Sequence, residues 1–161
     1  MATRTPKAVH YELLRLVAST VAAMELRDIP PENVYLRKVP TNQGVGYPCC
    51  LVTPWGSETL APGDFEDHEV GYPVLLTFLD TAAALTFDLD DDRELMWRQQ
   101  AIDRFIDLPL EESDEADTYD CRVEPFNVVD LNAFLGQGDE GPLYVSPLLL
   151  RFMTTRRRGR E

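Results

Sequence analysis

Glu69-Val70-Gly71-Tyr72-Pro73-Val74-Leu75-Leu76-Thr77-Phe78-Leu79 is the stretch on which the fold turns. It predicts the longest strand of the chain. Pro73 has no N–H to give to a ladder, so it marks an edge, a bulge or the start of regular pairing. From Val74 to Leu79 both alternating faces are apolar, and both therefore need cover. Helices on one side and another subunit on the other would supply it.

Upstream of this strand, Cys49-Cys50-Leu51-Val52-Thr53 predicts a second strand, closed by Pro54-Trp55-Gly56. A polar loop through Pro62-Gly63-Asp64 separates the two. Asn33 to Val39 is rich in β-formers and is stopped by Pro40, with turn residues from Thr41 to Gly46. Before it, Thr5-Pro6 reads as an N-cap followed by proline in the first turn. Val9, Leu13, Leu16, Val17, Val21 and Met24 then recur at helical spacing, and Ile29-Pro30-Pro31 closes the pattern. This predicts a helix over 6–27.

Downstream, Asp90-Asp91-Asp92 places carboxylates where a helix start has free N–H groups. Leu95, Ile102, Phe105 and Ile106 form the expected core stripe, with Trp97 and Ala101 beside it, and Leu108-Pro109 ends it. Glu111 to Asp117 reads as an acidic loop. Tyr119 to Glu124 alternates as a half-buried strand, Phe126 to Leu135 has no clear period, and residues 136–141 are loop. Leu143 to Met153 predicts the last strand, and 154–161 an arginine-rich tail. The expected fold is a single α+β domain over 1–153, ordered α-β-β-β-α-β-β, with a mainly antiparallel mixed sheet and two helices on one face.

With 161 residues, 44% of them hydrophobic, the chain can bury a sizeable core. The net charge of −13 is unevenly spread: residues 1–40 carry +2, 41–150 carry −19, and 151–161 carry +4. An acidic body repels nucleic acid and membrane surfaces. No apolar run approaches the length of a bilayer span, and the N-terminus lacks a continuous apolar stretch, which argues against a signal peptide. Cys49, Cys50 and Cys121 are an odd set, and adjacent Cys49 and Cys50 point to opposite faces of a strand. Buried thiols in a reducing compartment are the simpler reading.

Few residues carry a chemical signature. Asp88, Asp90, Asp92 and Glu94 alternate, but the glycine and the distant glutamate of a calcium loop are not in place. A capped helix start suffices. His10 and His68 are the only histidines, and His68 has no second histidine or cysteine at zinc-ligand spacing. Nucleotide-binding and serine-nucleophile motifs are missing from the sequence. No catalytic, cofactor or metal residue is assigned, and no cofactor is expected. Two features suggest contact with partners instead. Trp55 sits in a loop at a strand end, suited to an interface anchor or to a local cap on the core, the anchor being the favoured reading. Arg156, Arg157, Arg158 and Arg160 would either engage phosphates or an acidic protein surface, gaining avidity if repeated around an oligomer, or form a disordered solubilising end.

The order of elements, together with Val34 to Pro40, Tyr47 to Pro54, Gly71 to Phe78, Arg98 to Ile102 and Leu148 to Phe152, resembles phage tail terminators, also called tail-completion or head–tail joining proteins. The resemblance covers nearly the whole chain in layout. It implies a structural virion protein without catalysis, assembled in the host cytoplasm into a homo-oligomeric ring, a hexamer in that family. Its implied partners are the tail tube protein, the head-closure or connector protein and the tail sheath, with genome DNA passing through an acidic pore and no membrane contact. A head-completion protein is the nearest alternative. A small cytosolic enzyme would need a pocket around His68 or Cys121, and a nucleic-acid-binding adaptor would need the arginine tail.

Overall fold

The computed structural model describes residues 8–62, 67–81, 92–106, 109–111, 118–136 and 143–157. Helix α1 spans Val9–Ala23. Strands β1 (Val34–Leu36), β2 (Cys49–Pro54), β3 (Thr59–Pro62) and β4 (Asp67–Asp80) follow. After α2 (Arg93–Phe105) come β5 (Pro109–Glu111), β6 (Thr118–Pro125) and β7 (Tyr144–Arg157). The chain is α+β, and its sheet order is β1-β2-β4-β7-β6-β5, with β3 also paired to β4. Only β1 against β2 is parallel; the remaining pairs are antiparallel. Two short strands, β3 and β5, add to the expected order.

β4 and β7 pair along their whole lengths, from Asp67↔Arg157 to Asp80↔Tyr144. The last strand thus runs through Arg157 rather than stopping at Met153, because Thr154 to Arg157 continue the ladder against Asp67 to Val70. Pro73 sits where β4 changes partner on its other edge. β2 pairs as far as Val74, and β3 begins opposite Gly71. The Pro73 carbonyl accepts from the Trp55 N–H at 3.4 Å. The missing Pro73 N–H therefore faces the gap between β2 and β3, where no ladder bond is lost.

Both helices cover one face of this sheet. Leu13, Leu14, Val17 and Val21 of α1 and Trp97, Ala101 and Phe105 of α2 share a core with Cys50, Val52, Val74, Leu76, Phe78, Tyr119, Cys121, Leu150 and Phe152. α1 is shorter than its sequence pattern. Glu25 and Asp28 adopt left-handed φ of 55° and 63°, which ends the helix before the prolines are reached. The Thr5-Pro6 cap lies outside the described residues. Leu16, expected inside, is exposed, and Leu14 takes its place.

The stripe on α2 is also rotated. Glu94, Trp97, Ala101 and Phe105 are buried, whereas Leu95 and Ile106 are 48% and 53% exposed. An acid occupies the first core position, so the apolar pattern misplaced the face by one residue. The cap itself is as expected: Asp92 accepts from the Leu95 N–H at 3.1 Å.

The other face of the sheet is covered largely by the chain itself, not by a second subunit. Cys49, Leu51 and Leu79 are fully buried under Tyr35, Val45, Tyr47, Leu135 and Val145. Two irregular segments, 37–48 and 126–136, supply most of this cover. Asn42 ties them together, donating to the Gly136 carbonyl at 3.0 Å and accepting from the Gly136 N–H at 2.9 Å. Leu131, in a 3-10 turn over Val128–Leu131, is fully buried. Every residue from Val74 to Leu79 is inaccessible to solvent in the single chain. Toward the far end this face becomes polar, with Arg122 and Glu69 paired at 3.3 Å and Arg151 and Glu124 at 3.3 Å. A side chain at Gly71 would come within 2.7 Å of Thr59 Oγ1 and 2.8 Å of Met153 Sδ, so only glycine fits there without displacing them.

Candidate partner interface

Trp55 emerges from β2 immediately after Pro54, and Gly56 turns the chain away with a φ of 76°. The indole is half-buried. It meets Phe126 edge-on at 4.8 Å and 84°, and Phe134 at 6.0 Å and 78°. Such edge-to-face pairs contribute on the order of 1 kcal/mol each beyond the area they bury. Trp55 is thus first a clamp that holds segment 126–136 against the end of the sheet. The exposed apolar surface of that segment belongs to its neighbours: Val128, Val129 and Phe134 are 41%, 62% and 36% exposed. Sequence reading found the tryptophan and missed these three, because Phe126 to Leu135 has no helical or strand period.

The arginines do not form one free tail. Arg156 and Arg157 lie within β7, opposite His68 and Asp67 in the register. Arg158 and Arg160 lie outside the described residues. Two of the four are therefore carried at the end of a long ribbon and are separated from Trp55 along the strands.

Of the remaining candidates for chemistry, His10 and the cysteines take structural roles, and the His68 side chain lies outside what is described. His10 Nε2 lies 2.7 Å from the Pro73 carbonyl, and its ring lies 5.7 Å from Tyr72. In the tautomer that donates from Nε2, it holds the start of α1 to β4. Cys49, Cys50 and Cys121 are all buried, and none is joined in a disulfide. Cys50 faces the helices and Cys49 the opposite layer, as their adjacency requires. Burial pushes the Cys49 thiol up to about 12, against the opposing pull of Arg37. Burial also raises Cys50, with Cys49 adding to the effect. Thiols held this far above neutrality carry almost no thiolate, the reactive form. Among the described residues no three His, Cys, Asp or Glu side chains converge as metal ligands. Asp88 and Asp90 lie outside those residues. No described helix is long and apolar enough to cross a membrane.

One charged constellation was not legible in the sequence. Asp80, 1% exposed at the end of β4, accepts from Arg93 Nε and Nη2, each at 3.0 Å. The same guanidinium reaches Asp28 in the bend after α1 at 2.8 Å and lies over the Trp97 ring at 5.6 Å. Trp97 Nε1 donates to the Arg27 carbonyl at 2.7 Å. Glu94 is 6% exposed beside this pair, with Oε1 lacking any hydrogen-bond partner. Burial, then the neighbouring Asp80, pushes its carboxyl up to about 7. The arrangement joins three segments distant in sequence, so no local motif announces it.

Between the helices, Ser19, Ala23 and Met24 of the α1 end face Gln100, Asp103 and Arg104 of α2 across an open groove of about 750 Å³. Its walls carry the Ser19 and Thr20 hydroxyls and the Asp103 carboxylate, with neither a histidine nor a cysteine beside them. The chain matches no protein-family model and no curated protein. What these surfaces do must therefore be argued from their own chemistry.

Proposed function

We propose that this chain is a structural joining protein of a phage tail, a tail terminator that forms a ring on the tail tube and meets the head connector. The observation that carries the reading is the layout: an opening helix, a mainly antiparallel sheet centred on paired long strands, and both helices on one face. It is the order of elements on which the resemblance of the sequence to that family rests. Burial of all three cysteines, with the Cys49 and Cys50 thiols raised by it, supports a packing role for them rather than nucleophilic catalysis.

Self-association in this reading does not use the two-sided apolar strand, whose faces are already covered. Its surfaces are the apolar rim of Val128, Val129 and Phe134 and the outer edge of β6. β5 pairs with Thr118 to Asp120, so among the described residues Arg122 to Pro125 have no ladder partner on that side. An unpaired edge of this kind accepts a further strand. The net charge of −13 keeps DNA from adhering to such a ring during passage. The test is particle mass by light scattering, for the chain alone and mixed with candidate tail tube protein. A ring-sized complex with tube protein is expected. A monomer in every mixture, at concentrations well above those in an infected cell, would remove the proposal.

A further inference from the structure

Glu94 is buried beside Asp80, and Arg93 is the cation that both approach. Arg93 grips Asp80 through two nitrogens, Asp28 through the third, and has its Nε 3.8 Å from Glu94. We propose that Glu94, Asp80 and Arg93 form a proton-operated latch that fastens the bend after α1 and the start of α2 to the end of the sheet. With Glu94 protonated, Asp80 keeps the guanidinium and Asp28 is held with it. With Glu94 ionised, two buried carboxylates compete for one cation, and the Asp28 and Trp97 contacts loosen together.

The surroundings leave the extra charge little relief. Asp80 faces Glu94 from β4, and Asp92 from the turn before α2. From β7, Tyr144 lies within electrostatic reach of Asp92, Glu94 and Arg98. Arg98 is committed elsewhere, donating to the Pro147 carbonyl at 2.6 Å and to Ser146 Oγ at 3.3 Å. Glu94 Oε1 has no hydrogen-bond partner to receive the charge.

The sign follows from the proton count. Burial moves the Glu94 carboxyl up from 4.5 to about 7, so between those values the closed latch holds a proton that the open one releases. Closure is therefore fully favoured below pH 4.5, weakens as pH rises through the window, and levels off above about 7. The shift corresponds to an opening equilibrium on the order of 100-fold larger at pH 8 than at pH 4.5.

The experiment is NMR hydrogen exchange of the full chain from pH 5 to pH 8. It follows the Trp97 indole N–H, which donates to Arg27 next to Asp28, and the Leu95 amide, which donates to Asp92. After correction for intrinsic base catalysis, both opening constants should rise together, by tens-fold, with a plateau near neutrality. In Glu94→Gln they should stay flat. The carboxyl carbon shift of Glu94 in the unmodified chain gives an independent readout, with an expected midpoint near 7. A midpoint at the ordinary glutamate value, or the same exchange profile with glutamine in place, would overturn the latch.

Discussion

Replacing Leu131 by alanine tests whether the second face of the sheet is closed by the chain's own loop or left for a subunit to close. Leu131 is fully buried in the short turn that crosses this face. The substitution removes roughly three methylene equivalents, about 2.4 kcal/mol at 0.8 kcal/mol each. A residual cavity of about 30 Å³ adds on the order of 0.7 kcal/mol. The expected loss is about 3 kcal/mol, read as a lower urea midpoint at constant slope. Val129→Ala in the same turn, at a position 62% exposed, should stay within about 0.5 kcal/mol. If the layer is intramolecular, the loss for Leu131→Ala relative to the unmodified chain will be unchanged over a hundredfold range of protein concentration. A loss for Leu131→Ala below about 1 kcal/mol, or one that changes with protein concentration, would refute the reasoning.

Arg93→Ala leaves Asp80 buried without its cation and should cost about 3–5 kcal/mol in urea unfolding, part of which Asp80→Asn in the same chain restores. Asp92→Ala removes the side-chain cap of α2 and should cost about 1 kcal/mol in the same assay. Native protein at pH 8 should leave Cys49, Cys50 and Cys121 unalkylated over an hour, with all three reacting once urea is added. Rapid native labelling of any one would show that its packing is looser than described.

Much of the fold was readable because the apolar periods of α1, β2, β4, β6 and β7 are long enough to dominate local noise. Elements of three or four residues, β3 and β5, were not, since Thr59 to Pro62 and Pro109 to Glu111 resemble loop in composition. The face of α2 was misjudged because Glu94 sits inward. A buried, partly paired acid is indistinguishable in sequence from a solvated one. The cover over the second face was assigned to another molecule for a related reason. Segments 37–48 and 126–136 pack without periodicity, and only the Asn42–Gly136 bonds and the Trp55 clamp reveal them as a layer. Of the interface residues, Trp55 was visible as a lone aromatic in a loop. That Arg156 and Arg157 belong to a strand depended on a partner nearly ninety positions away.

That pairing also governs when the molecule can form. β7 lies between β4 and β6 and follows both in sequence, so the middle of the sheet leaves the ribosome after its flanks. Until then β4 has an open flank, and β6 and β5 have nothing to join. Helices can appear early, but consolidation waits for contacts of long sequence separation and is correspondingly slow. A nascent chain stalled just short of Tyr144 would present a greasy, half-built platform to chaperones, not a smaller version of the finished fold.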